Sequence, residues 1–275
     1  AALATTASGT APVGWRLTAA LLSVVCIYVV GLILNDLCDY RRDCQLRPDR
    51  PLPDGSISLA AARLGCLLAL AAGLALAAVA GRRPMQAFLL LTVLVFVYDF
   101  QAKHHNWQGP VVMGLCRGMG VGIGASLVGW PLLAIPAVIV WTGYIAAVTR
   151  ISDRENAPSA LGVTPWLPTV WFAAAGSLIW VMAFVGDGRA WAWTAALPLL
   201  AGLLRIVLLA TGLSRGTQPP AAIQHSIGVY LRALLPLQAA AAVATGRGPW
   251  MVVGGVLLIV VWPLSSLAAR RFYAS

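Results

Sequence analysis

Between Asn35 and Asp43 the sequence reads NDLCDYRRD, an asparagine and three aspartates in the pattern N-D-x-x-D-x-x-x-D. On a helix, steps of three and four residues put Asp36, Asp39 and Asp43 on one face, with Asn35 one turn below Asp39. Like charges one turn apart repel, so the arrangement works against the free helix unless a cation sits among them. Mg²⁺ takes hard oxygen ligands, keeps several waters and binds through one or two carboxylates plus substrate phosphates, so such a helix end suits a metal-bound diphosphate. Arg41 and Arg42 stand beside the acids as partners for phosphate oxygens. The competing reading is a solvated helix end in which acids and bases pair.

Further polar clusters follow. The stretch RPDRPLPDG, residues 47–55, is loop chemistry: Pro48, Pro51 and Pro53 prevent helix, Asp54-Gly55 makes a turn, and Ser56 or Ser58 caps what comes next. It leaves Arg47 and Arg50 free to meet phosphate. In YDFQAKHHNWQGP, residues 98–110, Lys103 is the chain's one lysine, and a compact charge with three donors suits a leaving diphosphate. His104 and His105 have no third ligand at metal spacing and read as interfacial hydrogen-bonding residues. Arg117 lies within a glycine-rich apolar run, where a charge is costly and should face a carboxylate or a bound anion inside the bundle. Asp153 and Glu155 follow another apolar run, flanked by Arg150 and Arg154.

The elements that must position these residues are membrane helices. The chain has 275 residues, of which 60% are hydrophobic and 10% charged. Its apolar residues come in blocks long enough to cross a hydrocarbon core of roughly 30 Å, near 16–36, 57–80, 85–102, 110–129, 131–149, 165–185, 190–212, 222–244 and 249–269. The expectation is therefore an all-α polytopic bundle of about nine spans, filling residues 1–275 as a single domain. The first block has no cleavage site after it and reads as a span, not a signal peptide. The chain starts at Ala1 and not at Met, which leaves room for an earlier helix, with residues 1–14 as the loop after it.

Alternate loops fall on alternate sides. Arg41, Arg42, Arg47, Arg50, Lys103, Arg150, Arg154, Arg215, Arg270 and Arg271 share one side, against Arg16, Arg82, Arg83, Arg189 and Arg247 on the other. Ten against five makes the first side cytoplasmic, in an inner or plasma membrane. Eight of the nine acids lie on that side as well, leaving Asp187 opposite. Acids contribute little to orientation, so their gathering calls for a function. The net charge of +10 is spread over short loops and marks membrane topology, not a nucleic-acid partner. Five cysteines, mostly within or beside spans, give neither a disulfide framework nor a zinc spacing. Trp166, Trp171, Trp191, Trp193 and Trp250 read as interfacial belts, and Gln224, His225, Ser226, Tyr230 and Arg232 as interhelical hydrogen-bonding residues.

The pattern from Asn35 to Asp43, followed by RPDRPLPDGSIS, resembles the first signature of the UbiA superfamily of intramembrane prenyltransferases. The resemblance implies a membrane helix bundle that moves a prenyl group from a prenyl diphosphate to an aromatic or other lipophilic acceptor. It implies Mg²⁺ held by Asp36, Asp39 and Asp43, with Lys103 stabilising the diphosphate as it leaves. Asn35, Arg42, Arg47, Tyr98, Arg117, Arg150, Asp153 and Arg154 are the further residues expected around the diphosphate. Tyr98 and Lys103 match the spacing of a Tyr and Lys common in the family. The second acidic signature, usually Asp-x-x-x-Asp, is degraded here to Asp153 and Glu155. That departure, with YDFQAKHH and GPVVMGLCRG, is similar to the EboC-like branch, whose members are associated with metabolite export. The alternative to an enzyme is therefore a UbiA-like membrane protein that binds or exports an isoprenoid or aromatic metabolite.

Overall fold

The structure is a computed structural model that describes residues 14–130, 134–185, 189–244 and 249–272. Its helices are α1 (Gly14–Leu46), α2 (Leu59–Ala80), α3 (Arg82–Phe100), α4 (Gln108–Ser126), α5 (Ala134–Ser152), α6 (Trp166–Val185), α7 (Arg189–Leu213), α8 (Pro220–Arg232), α9 (Leu234–Ala244) and α10 (Pro249–Phe272). A single 3₁₀ turn, Ala102–His104, links α3 to α4. Strands β1 (Ser159–Ala160) and β2 (Thr217–Gln218) pair antiparallel across the loops after α5 and α7. Asp187 and Arg247 lie outside the described residues.

Seven helical stretches among the described residues are long and apolar enough to cross a membrane. The expected span at 110–129 is the helix α4, which falls short of that group because it carries six glycines and Arg117. The expected span at 222–244 is the stretch Pro220–Ala244, one of the seven, with an interruption at Ala233 between α8 and α9, three residues before Pro236, whose ring denies the helix a hydrogen bond. The last expected span is α10, whose apolar part is the shorter stretch Val252–Ala268.

The core falls into two packed groups. Ile27, Val30 and Leu34 of α1 meet Phe88, Leu91 and Val95 of α3 in the first. In the second, Tyr144 and Ile151 of α5, Phe172 of α6, Ile206 of α7 and Tyr230 of α8 pack together. The hydroxyl of Tyr144 donates to the Tyr230 carbonyl at 2.7 Å, and that of Tyr230 to the Pro165 carbonyl at 2.8 Å. Apolar lipid gives helices no hydrophobic reason to associate, so close backbone approach has to supply the contact. Gly114 and Gly118 do this where α4 crosses α5: a Cβ at Gly114 would collide with the Thr142 carbonyl, and one at Gly118 would lie 2.8 Å from that of Val138. Trp171 departs from the expected belt, because its ring packs over Gly143 inside the bundle.

The two halves are thus joined through α4 and α5, and α1, α3 and α5 end on the same side as the loops carrying the acids. At the other side Gly81 turns α2 into α3 with φ +133, a conformation that L side chains rarely adopt. Arg16 holds this turn by donating to the Ala80 carbonyl at 3.0 Å.

Candidate active site

Helix α1 runs through Leu46, ten residues beyond the expected end of its span at 36. At about 1.5 Å per residue the excess carries the acidic face some 15 Å past that point. Residues 47–57 then fold back against it. The amide of Arg47 donates to the Asp43 carbonyl at 2.8 Å, that of Asp54 to Arg50 at 2.9 Å and that of Ile57 to Pro51 at 2.9 Å. Asp54 accepts from the Ser56 amide at 2.7 Å, which holds its carboxyl below the ordinary range. Ser58 accepts from the Ala61 amide and caps α2.

This return places Arg50 against the acids. Its Nη1 lies 2.7 Å from Asp43 Oδ2 and 3.4 Å from Asp36 Oδ1. Lys103, on the 3₁₀ turn after α3, lies 2.9 Å from Asp39 Oδ1 and donates to Asn35 Oδ1 at 3.4 Å. The lysine is almost enclosed, with 8% of its side chain exposed. The three aspartates are therefore shared between two cations that come from different loops. Asn35, Asp39, Arg42, Asp43, Arg47 and Arg50 line a polar cavity of about 480 Å³, together with Glu155 and Asn156 from the loop after α5.

The remaining expected residues divide between the rim and the interior. Arg150 donates to the Asn106 carbonyl at 2.9 Å and to Asp153 Oδ2 at 3.1 Å, and stacks over Trp107, tying the end of α5 to the Lys103 loop. Arg154 turns to the Ala160 carbonyl of β1 at 3.0 Å. Burial pushes the Asp153 carboxyl up, against the lowering effect of Arg150, and does the same to Glu155 against Arg47. Tyr98 and Arg117 stand deeper. Both line a pocket of about 390 Å³ that includes Asn35, and both also line a largely apolar cavity of about 1000 Å³. The three spaces follow one another, Asn35 being common to the first two. Arg117 lies over the Tyr28 ring at 4.8 Å, two helical turns from Asn35, so it stands apart from the mouth cluster.

No three His, Cys, Asp or Glu side chains among the described residues converge as a closed metal cage. The donor set nonetheless fits Mg²⁺ in the way it binds diphosphates, because one or two carboxylates of the Asp36, Asp39 and Asp43 face suffice, with phosphate and water completing the shell. Three features lay beyond the sequence reading. Arg50 had only the same claim as Arg47; Asn156, unlike Glu155 of the degraded second signature, gave no sign of reaching the mouth; and Asp99 read as one polar residue among several. Its one distinguishing signal was a carboxyl inside a predicted span.

The model of the UbiA prenyltransferase family matches residues 1–227. The chain belongs to that family. Among curated proteins it is 30% identical over 143 residues to a digeranylgeranylglyceryl phosphate synthase of Methanopyrus kandleri, covering 50% of this chain and 49% of the relative. It is 32% identical over 152 residues to the synthase of that name from Thermococcus gammatolerans, 54% of each chain. The chain thus spans about half the length of these relatives. A solved structure from work on digeranylgeranylglyceryl phosphate synthase in membranes superposes with a TM-score of 0.58 at 13% identity, over 89% of this chain and 91% of that one. That likeness concerns the fold; the family and the seven apolar stretches among the described residues make this chain an integral membrane protein of multiple spans. The similarity to the EboC-like branch rests on the sequence motifs alone.

Proposed function

We propose that this UbiA-family chain, as a single transmembrane domain over residues 1–275, transfers a prenyl group from a prenyl diphosphate to a lipophilic acceptor within the bilayer. The observation that carries the reading is the sequence of spaces: a polar mouth lined by carboxylates and arginines leads past Asn35 and Tyr98 into an apolar cavity of about 1000 Å³. An amphiphile with an anionic head and a long hydrocarbon tail matches that gradient. The relatives named for a digeranylgeranyl product make geranylgeranyl diphosphate the first donor to try.

Asp36, Asp39 and Asp43, assisted by Asn35, would hold Mg²⁺, which when bound supplies positive charge to the departing diphosphate. Lys103 is positioned to donate to a phosphate oxygen once Asp39 is otherwise neutralised, and Arg42 and Arg47 face the same space. Donors aimed at the developing anion lower the barrier to breaking the allylic carbon–oxygen bond. Arg150 and Asp153 brace the Lys103 loop from the rim, with Arg154 beyond them. The apolar cavity shields the allylic cation from water until the acceptor captures it. On the basic-residue distribution the mouth faces the cytoplasm.

A binder or exporter of an isoprenoid or aromatic metabolite is the second reading. It is favoured by the second acidic motif, where Asp153 is spent on Arg150 and Arg154 on a backbone carbonyl. Binding of geranylgeranyl diphosphate and release of diphosphate, each measured with and without Mg²⁺, separate the two. Asp39→Ala should abolish Mg²⁺-dependent binding, and Asp153→Ala should weaken it far less. Binding without release for every donor and acceptor tried would favour the second reading. Equal binding by wild type and Asp39→Ala would remove residues 35–43 from the site.

A further inference from the structure

The 390 Å³ pocket between mouth and apolar cavity carries a carboxyl group that the donor site does not use. Asp99, one residue before the end of α3, has 3% of its surface exposed and lines this pocket with Asn35, Tyr98 and Arg117. No hydrogen bond reaches its carboxylate among the described residues, and Oδ1 is fully enclosed without a partner. Lys103, four residues on, is engaged by Asp39 and Asn35. A buried polar atom without a partner is costly and uncommon, and inside a membrane bundle it marks a place where something else binds.

The position of the pocket says what that is. Asn35 belongs both to this pocket and to the mouth, so a molecule held beside Asp99 adjoins the space where the reactive end of a diphosphate-bearing donor would lie. The hydrocarbon tail has the larger cavity, which leaves the smaller pocket for the head of the acceptor. We propose that Asp99 accepts a hydrogen bond from the nucleophilic hydroxyl of the acceptor and takes its proton during transfer. The proposal rests on the prenyl-transfer reading. The donor's C1–O bond breaks and its electron pair leaves on the diphosphate. A lone pair of the hydroxyl oxygen forms the new C1–O bond, and the hydroxyl proton passes to the Asp99 carboxylate. Without that transfer the product oxygen would keep a positive charge in an apolar pocket.

The test uses the whole protein in nanodiscs and four probes: 4-hexylphenol beside its methyl ether, and 1-O-octylglycerol beside its dimethyl ether, neither ether being able to donate. Wild type should bind at least one hydroxyl compound tenfold or more tightly than its ether, and the pair showing it tells a phenolic from an alcoholic acceptor. Asp99→Asn, nearly the same shape, should reduce that preference below threefold while Mg²⁺-dependent binding of geranylgeranyl diphosphate stays within twofold. Should Asp99→Asn elute as aggregate, Asp99→Ser makes the same comparison. A smaller preference in wild type, or one that the variant retains, overturns the proposal. Ether formation from the preferred probe should fall at least 100-fold in Asp99→Asn with the donor KM unchanged, and equal turnover overturns the proton-accepting role. Loss of donor binding in wild type would instead refute the reading of the mouth, since the hydroxyl comparison is made without donor.

Discussion

Lys103 is a competitor for the very carboxylate that a divalent cation would use, and this gives its replacement an unusual signature. Its ammonium lies 2.9 Å from Asp39 Oδ1, with 8% of the lysine side chain and 21% of the aspartate exposed. At that separation and an effective dielectric of 20 to 40, the Coulomb attraction is about 3 to 6 kcal/mol. Desolvation of the two ions offsets most of it, leaving a net pair worth about 1 to 2 kcal/mol. In Lys103→Gln that competition is gone, so Mg²⁺ alone should bind about 5- to 30-fold more tightly than to wild type. Diphosphate binding should move the other way. Losing one charge-assisted hydrogen bond to phosphate, worth about 1.5 to 3 kcal/mol, should weaken geranylgeranyl diphosphate about 10- to 150-fold in saturating Mg²⁺. Calorimetric titration of the purified protein, Mg²⁺ first and donor second, reads both changes. A variant that loses Mg²⁺ affinity, or keeps its donor affinity, refutes the idea that Lys103 is exchanged between Asp39 and phosphate.

Gly114→Ala should separate α4 from α5, because the added methyl meets the Thr142 carbonyl and Ala146. Overpacking of this kind costs about 1 to 3 kcal/mol, and a lower thermal midpoint in detergent checks it, whereas Gly120→Ala, with open space at its Cβ, should be neutral. Glu155 has a carboxyl raised by burial, so the folded state favours its protonated form. The associated stability is fully present below the ordinary carboxyl range and lost as pH rises through the raised value. Glu155→Gln should therefore unfold at a higher temperature than wild type near neutral pH, with the difference vanishing in acid; a variant less stable at neutral pH would contradict this. For orientation, a single cysteine at position 49 in a cysteine-free background should resist an impermeant thiol reagent in intact cells, and one at position 187 should react. The reverse pattern would invert the topology.

The parts of the site readable in the sequence are those set by local spacing. Steps of three and four residues place Asp36, Asp39 and Asp43 on one helix face whatever surrounds them, and a lysine just past an apolar block must sit at a membrane edge. Apolar blocks give the spans for the same reason. Pairing between distant segments is not local. Arg50 reaches Asp36 and Asp43 only because residues 47–57 turn back along α1, a path fixed by several backbone hydrogen bonds that proline content alone does not dictate. Asp99 stands beside Tyr98 and five residues before two histidines, so in sequence it belongs to a polar edge, while the packing of α1, α3 and α4 encloses it. The break at Ala233 has no local marker of its own beyond Pro236, because apolar residues continue on both sides of Arg232 as they would in one continuous span.

The gathering of acids on one side acquires a physical reason when the mouth is taken as a balanced set. Asp36, Asp39, Asp43 and Glu155 stand near Arg42, Arg47, Arg50 and Lys103, four charges of each sign. A divalent cation entering alone must displace Arg50 or Lys103 from a carboxylate and leave that base without a partner. A diphosphate entering alone must draw the same bases away and leave the acids to repel one another. When both enter, the carboxylates exchange bases for metal while the bases exchange carboxylates for phosphate, and neither set is left uncompensated. Binding of the two should therefore be mutually reinforcing by the same factor in either direction. A cluster of acids with no bases would hold metal without substrate, and a cluster of bases with no acids would hold any phosphate. On the proposed function, the interleaving RRDCQLRPDR after the first two aspartates is what would make the mouth selective for the pair.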